Sequence, residues 1–437
     1  MASGRALWVD GEAGAGISYL GGLNEHVWPN LAESTIVAVT RYLRERRPLS
    51  IADGTGVVGA LESRLEESLG LSNVLSTSSG TAALHSAYMA LDLPPGSEVV
   101  APVLGFHASV TPALHCGLTA RLVDVEPDTG NMDVDALVDA INPRTSCVVV
   151  NHMWGHPAEI DTIAEVCRNR GIALVEDCSH AYGSRLRGEP VGTFGDIAAF
   201  SMQASKTLAV GEGGFLATPR RDLFERACLA GHYRGRSYTQ VTDPALRAYA
   251  ESGFGLKLRL APLLALIAYE ELQHLPARLA SRRDLLRRFD AVLQDSPGVR
   301  PPTVRGHVEI GGWFAYRPEF VPGELVREGV PLNCDDYIGL LRAAKLDAHR
   351  PSVSPLDELA IFRSTPPVRW AQETWRPSLA EDYPGCRQYL ANRFTLPPFT
   401  APELAPLVEQ YCAVIRQVGS AFSTGTDEGG QPRELLQ

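Results

Sequence analysis

The sequence predicts an α/β protein with a mostly parallel central sheet flanked by helices, followed by a smaller C-terminal α+β domain. Three observations predict it. From about residue 72 to 220, short β-rich runs alternate with helix-like stretches, the pattern of parallel α/β units. At 437 residues the chain is long for one compact unit, and domains of roughly 100–200 residues imply two or three lobes. Beyond the alternating region come several proline-rich connections and one strand-like run, Trp313–Phe320 (WFAYRPEF).

In chain order, Ser97–Leu104, Arg121–Val125, Ser146–Asn151, Gly171–Glu176, Asp196–Met202 and Phe215–Thr218 read as strands, with helices at Thr81–Leu91, Asp133–Ile141 and Asp161–Arg170 between them. Leu263–Leu275 and Arg278–Leu293 read as two long helices broken at Pro276, because an internal proline removes a donor and clashes with the preceding turn. The domain junction is expected there. The layout is an N-terminal segment over 1–50, a large α/β domain over 51–275, a small domain over 276–420 and a polar, disordered tail over 421–437.

Composition narrows the function. The AVILMFWYC residues make up 45% of the chain and charged residues 21%, a globular balance. Forty Lys and Arg against 51 Asp and Glu give a net charge of −11, so no nucleic-acid partner is expected and a small molecule is. The eight cysteines show no CxxC pair and no Cys/His spacing of a zinc site, so they read as reduced thiols of a cytoplasmic protein without a metal. The N-terminus lacks an apolar signal region. The longest apolar stretch, near Leu260–Tyr269, is too short to span a bilayer, and no membrane role is expected.

Three segments carry chemistry. Ser76–Leu84 (STSSGTAAL) opens a helix after a possible strand. Its N-terminal amides and dipole would suit a phosphate, with Gly80 admitting close backbone approach; taken alone, the segment reads more readily as a simple N-cap with a tight turn. In Val175–His180 (VEDCSH) an apolar strand ends in two carboxylates and a histidine. At the carboxyl edge of an open sheet Asp177 can meet a ligand, and facing a pyridine nitrogen it would keep that nitrogen protonated; the alternative is capping of the next helix. Phe200–Lys206 (FSMQASK), followed by Gly211–Gly214 (GEGG), places a lysine just past a strand end. A lysine there is either solvated or, when desolvated, an amine able to form a Schiff base.

In order and spacing these segments resemble the DegT/DnrJ/EryC1/StrS family of pyridoxal-phosphate (PLP) sugar and cyclitol aminotransferases. The matching stretches include LSTSSGTAALHSAYMAL, VVVNHMWGHPAEIDTIAEVCRNRGIALVEDCSHAYGS, VGTFGDIAAFSMQASKTLAVGEGGFLAT and GFGLKLRLAP, running nearly continuously from about residue 50 to 275. The resemblance implies fold type I, with PLP in the large domain and pyridoxamine phosphate as the intermediate cofactor form. It makes Lys206 the Schiff-base lysine and general acid/base, Asp177 the partner of the pyridinium nitrogen and His180 the neighbour of the 3′ oxygen. Thr81, Ala82 and Ser201 would hold the phosphate, and Phe106 would lie over the ring. In GFGLKLRLAP, Lys257 stands where the family more often has an asparagine that reaches the neighbouring subunit's phosphate; a lysine can serve the same anion.

The expected activity is therefore transfer of an amino group from glutamate or glutamine to a keto-sugar or keto-cyclitol in natural-product biosynthesis, by a homodimer with a shared active site. Elimination, aromatising dehydration or epimerisation on the same scaffold, and a silent binding subunit, are the rivals. Lys206 speaks against the dehydratase branch, which lacks the lysine.

Overall fold

The computed structural model describes residues 31–367, 375–377, 382–399 and 402–423. Seven strands form the central sheet: β1 (Val74–Thr77), β2 (Glu98–Pro102), β3 (Thr119–Val123), β4 (Thr145–Asn151), β5 (Ala173–Asp177), β6 (Ile197–Ser201) and β7 (Gly214–Ala217). Their spatial order is β1-β7-β6-β5-β4-β2-β3, and β7 alone runs against the others. Helices α1 (Glu33–Arg44), α2 (Gly56–Leu69), α3 (Gly80–Leu91), α4 (Val134–Ala140), α5 (Ile160–Arg170), α6 (Arg221–Gly231) and α7 (Pro262–Gln294) surround or adjoin it. Because helices cover both faces, the strands are apolar nearly throughout, as in Cys147–Val150 and Ile197–Phe200, all buried. The expected strands and helices over 97–218 form with shifted ends. Ser76 and Thr77, read as part of the helix opening, instead complete β1, paired with Phe215 and Gly214.

The break at Pro276 does not occur. α7 runs unbroken from Pro262 to Gln294 with Pro276 inside it. A proline within a helix costs about 3 kcal/mol. Leu275 and Leu279 flank it and are buried, as are Leu285, Leu286, Phe289 and Leu293; each such side chain contributes about 1.5–3 kcal/mol on burial. Packing outweighs the lost bond. The first half of α7 buries Ala265, Ala268 and Leu275 with Leu61 and Leu65 of α2. The second half buries Leu286 and Phe289 with Phe320, Tyr337 and Phe394 of the C-terminal region. One rigid rod thus links both regions.

α1 lies in the segment for which the sequence suggested no element. Glu271 of α7 holds it, accepting from the Thr35 hydroxyl at 2.5 Å and the Ala32 amide at 2.9 Å. In the C-terminal region, Trp313–Phe320 is not a continuous strand. Glu319–Phe320 pairs with Val299–Arg300, and Tyr316 and Glu319 make isolated bridges to Leu396 and Arg393. Pro318 has no amide to donate, and the Phe314 amide donates instead to the Trp154 carbonyl, 2.8 Å away. Helices α8 (Cys334–Ala343), α9 (Pro384–Asn392) and α10 (Ala405–Phe422) complete this region. α10 carries helix past Ser420, and the rest of the expected tail from residue 424, like residues 1–30, lies outside the described residues. No described helix is long and apolar enough to cross a membrane.

Candidate active site

A cavity of about 430 Å³ opens at the carboxyl edge of the sheet, between the ends of β4, β5 and β6, the start of α3, and the Phe314–Arg317 and Ser352–Val353 segments. Of the nine residues singled out in the sequence, seven line it: Gly80, Thr81, Phe106, Asp177, His180, Ser201 and Lys206. Ala82 and Lys257 do not. The Ala82 amide donates to the Ser79 side chain at 3.0 Å, capping α3. Lys257 is exposed on the loop before α7. Its neighbours tie that loop to the entry of α3: the Ser78 amide donates to the Leu258 carbonyl at 2.7 Å, and Arg259 bridges to Thr77.

The alternation of side chains along β5 separates its two carboxylates. Glu176 turns away from the cavity and accepts from the amides of Gly192, Phe194 and Gly195 at 2.7–2.8 Å. His152 lies 3.2 Å from it and uses its Nδ1 to accept the Ala158 amide. With Cys178, these residues form a close buried group of metal-ligand types, but its histidine and carboxylate already bond the protein frame. Asp177 turns into the cavity and is 6% exposed. It accepts from the Ser109 hydroxyl at 2.5 Å and the Ser179 amide at 3.0 Å. Ser109 was not singled out in the sequence, and no local pattern marks it.

Asn151 sits beside Asp177 in the parallel β4–β5 register. Its amide nitrogen donates to the Leu104 carbonyl at 3.0 Å, while its buried Oδ1, lining the same cavity, has no hydrogen-bond partner. Asn151 is the final residue of the apolar run SCVVVN, so it emerges at the carboxyl edge by the same strand-end rule as Asp177.

Lys206 lies in a turn after β6, with its amide donating to the Gln203 carbonyl at 2.8 Å. The turn folds back on the glycine-rich segment through Gln203 and Gly211. Its amine stands over the Phe314 ring, 4.0 Å from the centroid. Burial lowers the amine's pKa to about 8, against a smaller opposing pull from Asp177. The His180 imidazole is held well below its ordinary range, first by burial and then by Lys206 and Arg317. It stacks on Phe314 at 4.0 Å and on Trp154 at 5.8 Å, with planes within 10° and 9°. Phe106, 56% exposed, stands where the cavity meets solvent.

The α3 entrance is packed so tightly that side chains are excluded. A Cβ on Gly80 would lie 2.8 Å from the Ser201 Cβ, and one on Gly214 2.4–2.5 Å from the Ser79 and Gly80 backbone. Glycine at both positions lets β7, Ser201 and the start of α3 converge. Trp154, Phe314 and Arg317 also escaped the sequence reading, since two come from a region far along the chain and Trp154 reaches the site by a left-handed backbone (φ 58°, ψ 5°) that no neighbouring pattern announces.

The architecture is that of the fold-type I pyridoxal-phosphate transferases. The chain belongs to the DegT/DnrJ/EryC1/StrS aminotransferase family, whose model matches residues 41–368. Protein MosB of Rhizobium meliloti is 35% identical over 265 residues, 58% of this chain and 51% of MosB, so the match spans about half of that relative. An L-glutamine:2-deoxy-scyllo-inosose aminotransferase of Streptomyces kanamyceticus is 32% identical over 307 residues, covering 68% of this chain and 71% of the relative. The crystal structure of the aminotransferase TlmJ from Streptoalloteichus hindustanus superposes with a TM-score of 0.74 at 25% identity, covering 90% of this chain and 98% of the other.

Proposed function

We propose that the chain is a pyridoxal-phosphate aminotransferase that takes an amino group from glutamate or glutamine and delivers it to a keto-sugar or keto-cyclitol of a natural-product pathway, as a homodimer with a shared active site. One relationship carries this reading: a buried, weakly basic Lys206 amine shares a cavity with a carboxylate, Asp177, fixed by two hydrogen bonds.

The residues present fit the cofactor. The glycine-lined entrance of α3, with Ser201 against it, suits a phosphate dianion. Asp177 is an acceptor suited to a protonated ring nitrogen, and the orphaned Asn151 Oδ1 offers a second. When bound, pyridoxal phosphate supplies an electron sink and a carrier for the amino group. The chain's own part is acid–base work and positioning. Lys206, near neutrality at its pKa of about 8, can take and return a proton at Nζ. Ser109 and the Ser179 amide hold the Asp177 carboxylate in place at the cavity wall. Phe106 and His180 supply flat surfaces to the cavity, with Phe314 packed between His180 and the Lys206 amine.

The inosose aminotransferase name supports glutamine and a cyclitol ketone as first choices. The purified protein, loaded with pyridoxal phosphate, should show a visible cofactor band that falls on addition of glutamine or glutamate and returns with a suitable keto acceptor. Absence of any band after loading would overturn the proposal.

A further inference from the structure

The cavity wall that carries Phe314 is an irregular segment, and the long helix α7 stands behind it. Backbone bonds tie the segment at two points: the Phe314 amide donates to the Trp154 carbonyl at 2.8 Å, and the Tyr316 carbonyl accepts the Leu396 amide at 3.1 Å. Side chains of α7 grip it from the far side. Arg282 Nη1 donates to the Trp313 carbonyl at 3.0 Å, and the Tyr316 hydroxyl donates to Asp290 Oδ1. Arg282 and Asp290 are eight residues apart, about 12 Å along the helix axis.

The Asp290–Tyr316 pair is a costly choice for this place. Tyr316 is fully buried, its ring 5.5 Å from that of Phe289 and 6.2 Å from that of Trp313, and Asp290 is half-buried. A leucine facing a phenylalanine would fill such a contact without desolvating a charge. What the carboxylate adds is direction, because a charge-assisted hydrogen bond fixes distance and angle, whereas apolar packing is non-directional. Burial raises the Asp290 carboxyl to about 6, against the pull of the Tyr316 bond, and burial together with Asp290 keeps the phenol protonated. Cys412, facing the same phenol, is held as a thiol with its pKa pushed up to about 11 by burial. Across the range where Lys206 titrates, the pair therefore keeps one donor and one charged acceptor.

Two residues before Tyr316, the Phe314 ring lies between His180 and the Lys206 amine, 4.0 Å from each by ring centroid. We propose that Asp290 is a positioning residue of the active site: by fixing Tyr316 it holds the Phe314 wall against Lys206 and keeps water from the amine. Its effect on turnover rests on the aminotransferase reading above; the positioning itself is read without cofactor.

The test measures the pH midpoint of Lys206 acetylation by acetic anhydride in cofactor-free protein, followed by peptide mapping. The variants are Tyr316→Phe, Asp290→Leu and the two combined. Each single variant leaves one buried polar group without its partner and should lose stability; the combined variant leaves neither and should regain it. The midpoint should behave differently, rising by about 0.5–1 unit above that of wild type in all three, because water reaches the amine. With cofactor loaded, turnover of glutamate should fall about three- to tenfold in the combined variant, with a smaller change in KM. A wild-type midpoint in the folded combined variant overturns the proposal and leaves the pair a purely structural contact. If the combined variant does not fold, Tyr316→Phe decides by the same criterion. If wild type takes up no cofactor, the aminotransferase reading fails instead, and the acetylation midpoints still decide the role of Asp290.

Discussion

The Lys206 amine stands 4.0 Å from the centroid of Phe314, a ring delivered from beyond the long helix α7, more than one hundred residues along the chain. Burial by this ring and its neighbours, opposed only in part by Asp177, brings the amine's pKa down to about 8. A residue of the C-terminal region thereby tunes a lysine presented by the large sheet.

The pH dependence follows. The cofactor-free protein should capture pyridoxal phosphate at a rate that rises through about pH 8, where Lys206 loses its proton, and not near the ordinary lysine value of 10.5. Phe314→Ala admits water and should move the midpoint upward. For stability the folded pKa lies below the unfolded one, so the unfolded chain binds more protons between about pH 8 and 10.5, and stability of the cofactor-free form should rise with pH across that window. Stopped-flow absorbance and denaturant melts measure the two effects; a capture midpoint above 10 would show that the amine is solvated.

Lys206→Ala should abolish transamination, by about 10³-fold or more, while noncovalent cofactor binding partly survives. Borohydride treatment followed by peptide mapping checks the attachment site. Cofactor trapped on another lysine with near-normal turnover would refute the assignment.

Asp177→Asn should lose orders of magnitude in turnover with the fold intact, because the ring nitrogen would no longer face a charge. Ser109→Ala removes only the 2.5 Å bond that orients this carboxylate, so about ten- to a hundredfold is expected. Equal rates for Ser109→Ala and wild type would mean that the hydroxyl positions nothing.

Gly214→Ala should both destabilise the protein, by about 1–3 kcal/mol, and weaken cofactor retention, since its Cβ would press on the Ser79–Gly80 backbone. Thermal melts with and without cofactor measure both. Gly70→Ala, where an added Cβ meets nothing but φ is +69°, provides the comparison: strain without any effect on the cofactor.

Sharing of the site between chains is tested by mixing Lys206→Ala subunits with Lys257→Glu subunits, each inactive alone. Lys257 is exposed beside the α3 entrance of its own chain. If it serves the partner's phosphate, subunit exchange should restore one intact site per heterodimer. No recovery under conditions that demonstrably exchange subunits rejects the shared site.

The sequence by itself determined the sheet and the residues at its carboxyl edge. An apolar run that stops at a carboxylate, as at Asp177, or just before a lysine turn, as at Ser201–Lys206, is local information, because strand length and side-chain alternation fix which residue emerges into the crevice. Asn151 was legible by the same rule. Tertiary structure alone decided what surrounds that edge. Pro276 stays helical because residues distant in sequence bury both of its flanks, which no local propensity encodes. Ser109 reaches Asp177 across 68 residues, and Phe314 and Arg317 reach Lys206 and Trp154 across more than one hundred. Such contacts depend on how the C-terminal region docks, a sum of many small packing energies with no signature at either residue. The lysine's identity is therefore written in its neighbourhood along the chain, and its basicity in its neighbourhood in space.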